Sequence, residues 1–511
     1  MTTVEVDEVQ GNVLYAYGDY FRHVRYILFY VTHSTTAKAT LRGWLGRITF
    51  GSRPKGLSDT DEDDTNGTSA VPRSVTHRPH LNVAFTFSGL KALGIPDDFL
   101  YAFPDEFREG ALERARGNGD VAASSPENWF PGLGTGHVLV VVYARSEEER
   151  DRLGDDLARE AHGCMKVLHD LSASRLESTR RSETHEDGAW TRRPQACDSR
   201  LDREHFGFAD GCSQPAVQGV SIDPTGSGVY ARTAPRWWRP LRPLELMLED
   251  LGIKPITRQW RPISTGEFLL GYENEDGTFS QGPPDPLGSN GTFMVYRPMA
   301  QNVDGFTEYV EGEAERLGLP VELIRAKIVG RWTDGTPLAL SPERQDPLIA
   351  DDRRRANDFL YREPRNGVPA DPDGYGCPLG AHVRRANPRD ALPGGGERSM
   401  RHRIIRRGMP YGARGTADCG LAFVCYSASI ADGFEFIQRT WCNTGSEIGL
   451  ATERDPLLQQ GNPGELTGMV IQRPDNKTVV MRPPEKPFVT VRGCEYLFVP
   501  SRRGFEWLTS L

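Results

Sequence analysis

Four runs of apolar, β-branched and aromatic residues punctuate the chain. Each leads into a stretch with the three-to-four-residue apolar spacing of an amphipathic helix. The first, VRYILFYV (24–31), precedes TTAKATLRGWLGRI, and the second, HVLVVVYA (137–144), precedes RSEEERDRLGDDLAREA. The third, GTFMVYRP (291–298), leads into MAQNVDGFTEYVEGEAERLG, and the fourth, GLAFVCYS (420–427), into ASIADGFEFIQRTW. Runs of this kind read as buried strands feeding helices. Two units early and two late predict an internal duplication, each copy an α+β domain with an antiparallel sheet covered by helices. The expected division is an N-terminal domain over 1–222, an insertion or linker over 223–290 and a C-terminal domain over 291–511.

The insertion is rich in Pro, Gly and Trp, with TAPRWWRPLRPLELMLEDLGIKP and QGPPDPLGSNG. It predicts a short helix followed by a long loop. Acidic SDTDEDDTNGTS (58–69) and polar RSETHEDGAWTRRPQACDSR (181–200) read as loops, and PGGGERSM (393–400) as a flexible connector.

Composition narrows the function classes. Hydrophobic residues are 38% and charged residues 26% of 511, the balance of a water-soluble globular chain. A formal net charge of −9 disfavours a non-specific nucleic-acid binder. Within that acidic chain, the basic run RIIRRG (403–408) reads as a local anion site. No apolar run approaches the ~20 residues of a membrane helix. The first residues, MTTVEVDEVQGNVLYAYG, show neither a basic-then-apolar leader pattern nor a twin arginine, so a cytoplasmic location is expected. The eight cysteines include no C-x-x-C pair, which argues against a structural zinc site, a thioredoxin motif or a disulfide framework. Most are expected to be buried thiols.

Three segments carry candidate chemistry. There are eleven histidines but no H-E-x-x-H, so mononuclear zinc hydrolysis finds no support. His382 stands in YGCPLGAHVRRANPRD (375–390), at a loop-to-helix transition with arginines two and three residues on. It can ligate a metal while the arginines hold an anion; a capped helix start with a solvated basic turn is the plainer reading of those residues alone. Arg406, in RIIRRGMPYG, sits where a strand runs into a tight turn. It is either solvated or a fixed charge beside a cofactor. Asp210, in GFADG, lies beside glycines that allow unusual dihedrals, and is a turn residue or a chemical one.

In combination these segments resemble the dye-decolourising peroxidases, a family of haem peroxidases built from two ferredoxin-like domains. The G-x-x-D-G signature is matched by Gly207, Asp210 and Gly211 in GFADGCSQP, and the axial-histidine segment by CPLGAHVRRANPR. The distal-arginine segment is matched by IIRRGMPYG, with Arg406 three residues before Met409, and a Leu-x-Phe pair by Leu421 and Phe423. Weaker similarity covers VQGNVL, GEFLLGY, FEFIQRTW and VTVRGCEYLFVPS, in the same order along the chain. The length resembles the longer bacterial and fungal-like branch.

The resemblance implies haem b bound mainly in the C-terminal domain near the domain interface. It implies His382 as the axial iron ligand, and Gly207, Phe208, Gly211, Arg384, Met409, Leu421 and Phe423 against the cofactor. Asp455 in ERDPLLQ is the preferred carboxylate behind the histidine, with Glu435 and Glu447 as alternatives. Hydrogen peroxide would be reduced, and dyes, phenolics or other aromatic reductants oxidised one electron at a time. Asp210 would move a proton between the peroxide oxygens, and Arg406 would stabilise the leaving oxygen. Tyr411 and Trp441 are candidates for surface aromatics that relay electrons. Cys212 departs from the family's usual aliphatic residue, and either packs or is open to oxidation. Two other readings use the same scaffold: a dedicated biosynthetic haem oxidase, with Cys212 and the insertion shaping one substrate's pocket, and a haem-binding protein with little turnover. No nucleic-acid or membrane partner is expected, a homo-oligomer is compatible, and the closing GFEWLTSL carries no expected nanocompartment cargo tail.

Overall fold

The apolar runs form strands because each has neighbours on both edges to pair with. The structure is a computed structural model that describes residues 4–17, 21–51, 78–176, 203–221, 225–232, 258–392, 395–413, 416, 418–473, 475 and 477–511. In the first half, His23–Val31 (β1), His80–Phe85 (β2), Val138–Ala144 (β3) and Met165–Ser174 (β4) pair in the order β4-β1-β3-β2. Every residue of β2 and β3 is buried. The helix Ser34–Trp44 follows β1, and the helix Glu147–Ala161 follows β3. The first buries Ala37, Leu41 and Trp44, one stripe at helical spacing.

The small two-stranded sheet of Val229–Arg232 (β5) and Arg258–Arg261 (β6) lies between the halves. The second half then repeats the first. Thr292–Gln301 (β7), the short pair Ile405–Arg406 (β8) and Met409–Tyr411 (β9), and Gly420–Ser427 (β10) are followed by three further pieces. These are the hairpin Met469–Gln472 (β11) and Thr478–Met481 (β12), then Val489–Val491 (β13), then Glu495–Val499 (β14). The order β14-β7-β10-β9 matches that of the first half: fourth, first, third, second. This is the ferredoxin-like arrangement twice over.

The two sheets share their edges. β2 meets β14 at Phe85 and Phe498, and β4 meets β9 at Ala173 and Tyr411. With β7 paired to both β14 and β10, the ring of main strands closes into a barrel. Tyr26 of β1 stacks on Tyr296 of β7, with ring centroids 4.9 Å apart. Those strands are not sheet neighbours, so these rings fill the barrel interior. A second core of Phe206, Phe306, Ile324, Trp332 and their neighbours lies outside the barrel, beside the cavity described below.

Several local expectations change. The strand at 291–298 continues to Gln301, because Met299–Gln301 pair with β13; the helix begins only at Val303, where the Asn302 side chain accepts from the Gly305 N–H. The segment after β10 is π-helical over Ala431–Glu435 and Ile437–Cys442. The expected flexible connector at 393–400 is, from Gly395 to His402, a 3₁₀ helix with Gly396, Ser399 and Met400 buried. The insertion's predicted short helix, within TAPRWWRPLRPLELMLEDLGIKP, lies outside the described residues, as do the loops at 58–69 and 181–200. Among the described residues no helix is long and apolar enough to cross a membrane.

Candidate active site

A cavity of about 290 Å³ lies where the loop 204–215 from the first half meets the second half. Asp210, His382, Arg406, Leu421, Phe423, Phe208 and Gly211 all line it.

The loop that carries Asp210 is tied by its own carboxylate. Glu204 accepts from the Phe206 and Phe208 N–H groups, each at 2.9 Å, and from Gln301 Nε2 at 2.5 Å. Gly207 closes this turn at φ +91°, and its N–H donates to the Glu204 carbonyl. A side chain at that φ would be strained. Phe206 packs on Phe306, and the Ala209 N–H donates to the Thr333 carbonyl. Asp210 is thereby presented to the cavity, its Oδ1 accepting from the Gly211 N–H at 2.6 Å. Cys212 is half-buried on the same wall, and burial pushes its thiol pKa up. It is therefore held as the thiol, not as the reactive thiolate. The other cysteines among the described residues are buried, and none is in a disulfide.

His382 opens the short helix His382–Ala386 after extended Ala381. Its Nδ1 donates to Asp455 Oδ2 at 2.8 Å. Asp455 is fully buried, and its other oxygen accepts from the Leu457 and Leu458 N–H groups at 2.9 and 3.0 Å. Burial disfavours charge on either partner, yet the pair outweighs it. Asp455 is held below the usual carboxylate range by His382, and His382 above the usual imidazole range by Asp455. With Nδ1 committed to the carboxylate, Nε2 is the nitrogen left to act as a ligand. The side chain keeps 28% exposure although protein encloses it, because it lines the cavity. Arg406 and Asp210 line the same cavity as His382.

The alternative carboxylates lie elsewhere. Glu435 is buried between Arg114, Arg439 and the Tyr496 hydroxyl, and Glu447 pairs with Arg398 at the surface.

Arg406 comes from β8. Its Nη2 donates to the Ser213 carbonyl at 3.0 Å, and its backbone N–H and carbonyl meet the side-chain amide of Gln214, each at 3.0 Å.

Three residues expected against a cofactor do not line the cavity. Arg384 turns away from it, donates to the carbonyls of Cys377 and Pro372, and stacks on Tyr361 at 4.2 Å. Arg385 is likewise buried, on the carbonyls of Gly380, Trp441, Thr444 and Glu453. In a helix this short, positions two and three beyond the histidine face the protein body, where free carbonyls await donors. Met409 is buried on β9 next to Ala422, and Gly207 shapes the loop from behind. Tyr411 and Trp441, expected at the surface, are 3% and 1% exposed. Trp441 instead sits edge-on to His402, a cavity residue, with ring centroids 5.2 Å apart.

The cavity also contains cations that the sequence reading passed over individually. Arg331, Arg389 and Arg403 are buried and line it. Arg331 donates to the Gly335 and Ala356 carbonyls and to Asn357; Arg389 donates to the Asn357 and Phe359 carbonyls. Burial drives Arg389 down to about 10 and Arg403 to about 9. Among the described residues none of the three pairs with a carboxylate. The signal for Arg403 was the RIIRRG run; Arg331 and Arg389 stand in no such cluster.

This donor set suits a metal that arrives inside a flat, acidic macrocycle. One imidazole is oriented by a buried carboxylate, and several buried arginines lack an anion. Apolar walls such as Val383, Ile404, Leu421, Phe423 and Phe434 complete the cavity. Among the described residues no three His, Cys, Asp or Glu side chains converge to hold a bare ion.

The family model described as "DyP dimeric alpha+beta barrel domain" matches residues 8–175, and that described as "Dyp-type peroxidase, C-terminal" matches residues 347–452. A dye-decolorizing peroxidase, msp1 of Mycetinis scorodonius, is 30% identical over 462 residues, covering 84% of this chain and 76% of that one. The multifunctional dye peroxidase DyP2 of Amycolatopsis is 30% identical over 330 residues, 58% of this chain and 59% of that one. Among solved structures, an ancestral D-type dye decolorizing peroxidase aligns with TM-score 0.72 at 25% identity, over 99% of both chains. A DyP-type peroxidase from Auricularia auricula-judae aligns with TM-score 0.73 at 22% identity, over 100% of both.

Proposed function

Since this chain belongs to the dye-decolourising peroxidase family, we propose that its cavity binds haem b and that it couples reduction of hydrogen peroxide to one-electron oxidation of dyes, phenolics or related aromatic reductants. The observation that carries the reading is the buried Asp455–His382 pair at the wall of a cavity that also receives Asp210 and Arg406.

His382 would hold the iron through Nε2, and Asp455 would raise the basicity of the imidazole by holding its other proton. Arg331, Arg389 and Arg403 would receive the two carboxylates of the macrocycle. Leu421, Phe423, Phe208 and Phe434 would exclude water from its faces. When bound, the haem supplies the redox chemistry that no side chain here can perform. The chain's own residues manage protons and charge. Asp210 takes the proton from one peroxide oxygen and returns it to the other, acting as base and then as acid. Arg406 presents a fixed positive charge to the oxygen that leaves. A planar guanidinium has N–H donors and no acceptor, so it stabilises charge without taking the place of Asp210 as proton carrier.

The test is direct. Protein purified with haem, or reconstituted with it, should show a Soret band that responds to peroxide and should bleach an anthraquinone dye in its presence. A chain that takes up no haem, or whose bound haem is indifferent to peroxide, would sink the proposal.

A further inference from the structure

The two residues assigned to peroxide chemistry come from opposite halves of the chain, yet one short segment holds both. Asp210 lies four residues before Gln214, whose side-chain amide makes two hydrogen bonds to the backbone of Arg406. Nε2 donates to the Arg406 carbonyl and Oε1 accepts from the Arg406 N–H, each at 3.0 Å. Ser213 adds a third bond, its carbonyl accepting from Arg406 Nη2 at 3.0 Å.

The strand geometry explains why this clamp is needed. β8 is only two residues long and ends the sheet, paired on one side with β10. Arg406 stands opposite Cys425, while the N–H that bonds to β10 is that of the next residue, Arg407, to the Val424 carbonyl at 2.8 Å. Alternation along an antiparallel strand then turns both backbone groups of Arg406 outward, toward the open edge. The Arg406 carbonyl also accepts from Arg407 Nη1 at 2.9 Å, but with no strand beside it an edge of this kind wanders or recruits another chain. An amide side chain, with one donor and one acceptor side by side, reproduces the face of a missing strand. Gln214 does not itself line the cavity, although Ser213 and Pro215 on either side of it do.

We propose that Gln214 is a positioning residue: it acts as a one-residue surrogate strand that fixes the backbone of Arg406 in register with the loop bearing Asp210. The inference rests on the peroxidase reading for its kinetic consequence, but the clamp itself can be measured without turnover.

The test uses Gln214→Ala and Gln214→Glu in the full-length holoprotein, with haem content and thermal midpoint recorded for both. Hydrogen–deuterium exchange read on peptides spanning 404–409 should accelerate in Gln214→Ala, while exchange in the β1 and β3 peptides stays as in the unsubstituted protein. The rate of reaction with peroxide should fall by about 10–100-fold, the scale for displacing a catalytic group by up to 1 Å, with haem content retained. Adding Gln214→Ala to Arg406→Leu should cost far less than the product of the two single losses, because the clamp acts chiefly by placing the Arg406 side chain. Gln214→Glu discriminates further. Its carboxylate has no proton to donate to the Arg406 carbonyl, but the protonated acid restores both bonds. Its rate relative to the unsubstituted protein should therefore recover as pH falls. A flat ratio across pH, a multiplicative loss in the double variant, or unchanged exchange at 404–409 would each overturn the proposal. If peroxide reacts with none of the proteins, the peroxidase reading has failed, and the exchange measurement still decides the clamp.

Discussion

His382 has two ring nitrogens, and the buried carboxylate of Asp455 decides what each does. Replacement by alanine should leave the macrocycle without a protein ligand, so His382→Ala should lose most of its haem, read as the haem-to-protein ratio; full retention with an unchanged spectrum would reject the assignment. Asp455→Asn is subtler. Its amide oxygen can still accept the Nδ1 proton, but the negative charge is gone. Haem should be retained and its reduction potential raised, since the imidazole donates less to the metal; an unchanged potential in spectroelectrochemical titration would remove Asp455 from that role. Asp210→Asn and Arg406→Leu should both hold haem and both react slowly with peroxide. The expected losses are about 10²–10⁴-fold for the acid–base group and about 10²–10³-fold for the fixed charge. Stopped-flow mixing reads both, and unaltered rates would return Asp210 to being a turn residue. These residues stood out in the sequence because glycines, prolines and their order along the chain set them apart. Arg384 misled for a physical reason: adjacency to the histidine says nothing about which way a five-residue helix turns its second and third positions.

At the scale of elements, alternation and helical spacing were enough to place the main strands and the helices between them. They could not show that the helix after β10 is wound wider. Ile437 and Cys442, five residues apart, both line the cavity, as the π repeat allows. An α-helical reading of the same letters would pair 437 with 441 and turn Trp441 to that face. Nor could they show what β14 carries inward. Glu495 is buried, accepts from the Gly134 and Gly136 N–H groups at 2.7 and 3.3 Å, and is driven up to about 8 by burial. A raised carboxyl pKa means that the folded chain keeps a proton which the unfolded chain releases. This group's contribution is therefore full below about 4.5, the ordinary range, and is lost as pH rises toward 8. Glu495→Gln removes the titration and leaves an acceptor for the turn. The thermal midpoint of Glu495→Gln relative to the unsubstituted protein should climb steadily between pH 4.5 and 8. A difference that does not change across that window would show that Glu495 is ionised in the folded state.

The whole molecule is least legible in the letters. Repetition of strand–helix units announces two similar halves, but nothing local announces that Phe85 will meet Phe498, or Ala173 meet Tyr411. Those seams are single residue pairs, so other contacts must make the barrel one unit. Asn118 donates to the Tyr496 hydroxyl, His205 Nε2 lies 2.8 Å from the Tyr411 carbonyl, and Arg297 of β7 forms a bidentate ion pair with Asp120. The last is the most exacting, because both partners are 2% exposed or less. Two charges removed from water hold together only while each satisfies the other. Asp120→Ala would leave the Arg297 guanidinium buried beside the Phe434 ring with no anion, at a cost of about 3–5 kcal/mol. Replacing both partners with apolar residues of similar size, Asp120→Leu with Arg297→Met, should recover most of that loss, since the desolvation penalty disappears with the charges. If the halves are one cooperative body, denaturant unfolding of Asp120→Ala should remain a single transition, shifted to lower midpoint, with far-ultraviolet dichroism and tryptophan fluorescence coincident. Two separated transitions would mean that the halves fold independently and that the pair merely decorates their contact. A loss below about 1 kcal/mol, the scale of an exposed pair, would mean that water reaches Arg297 after all, and with it the cavity wall that Arg297 helps to form.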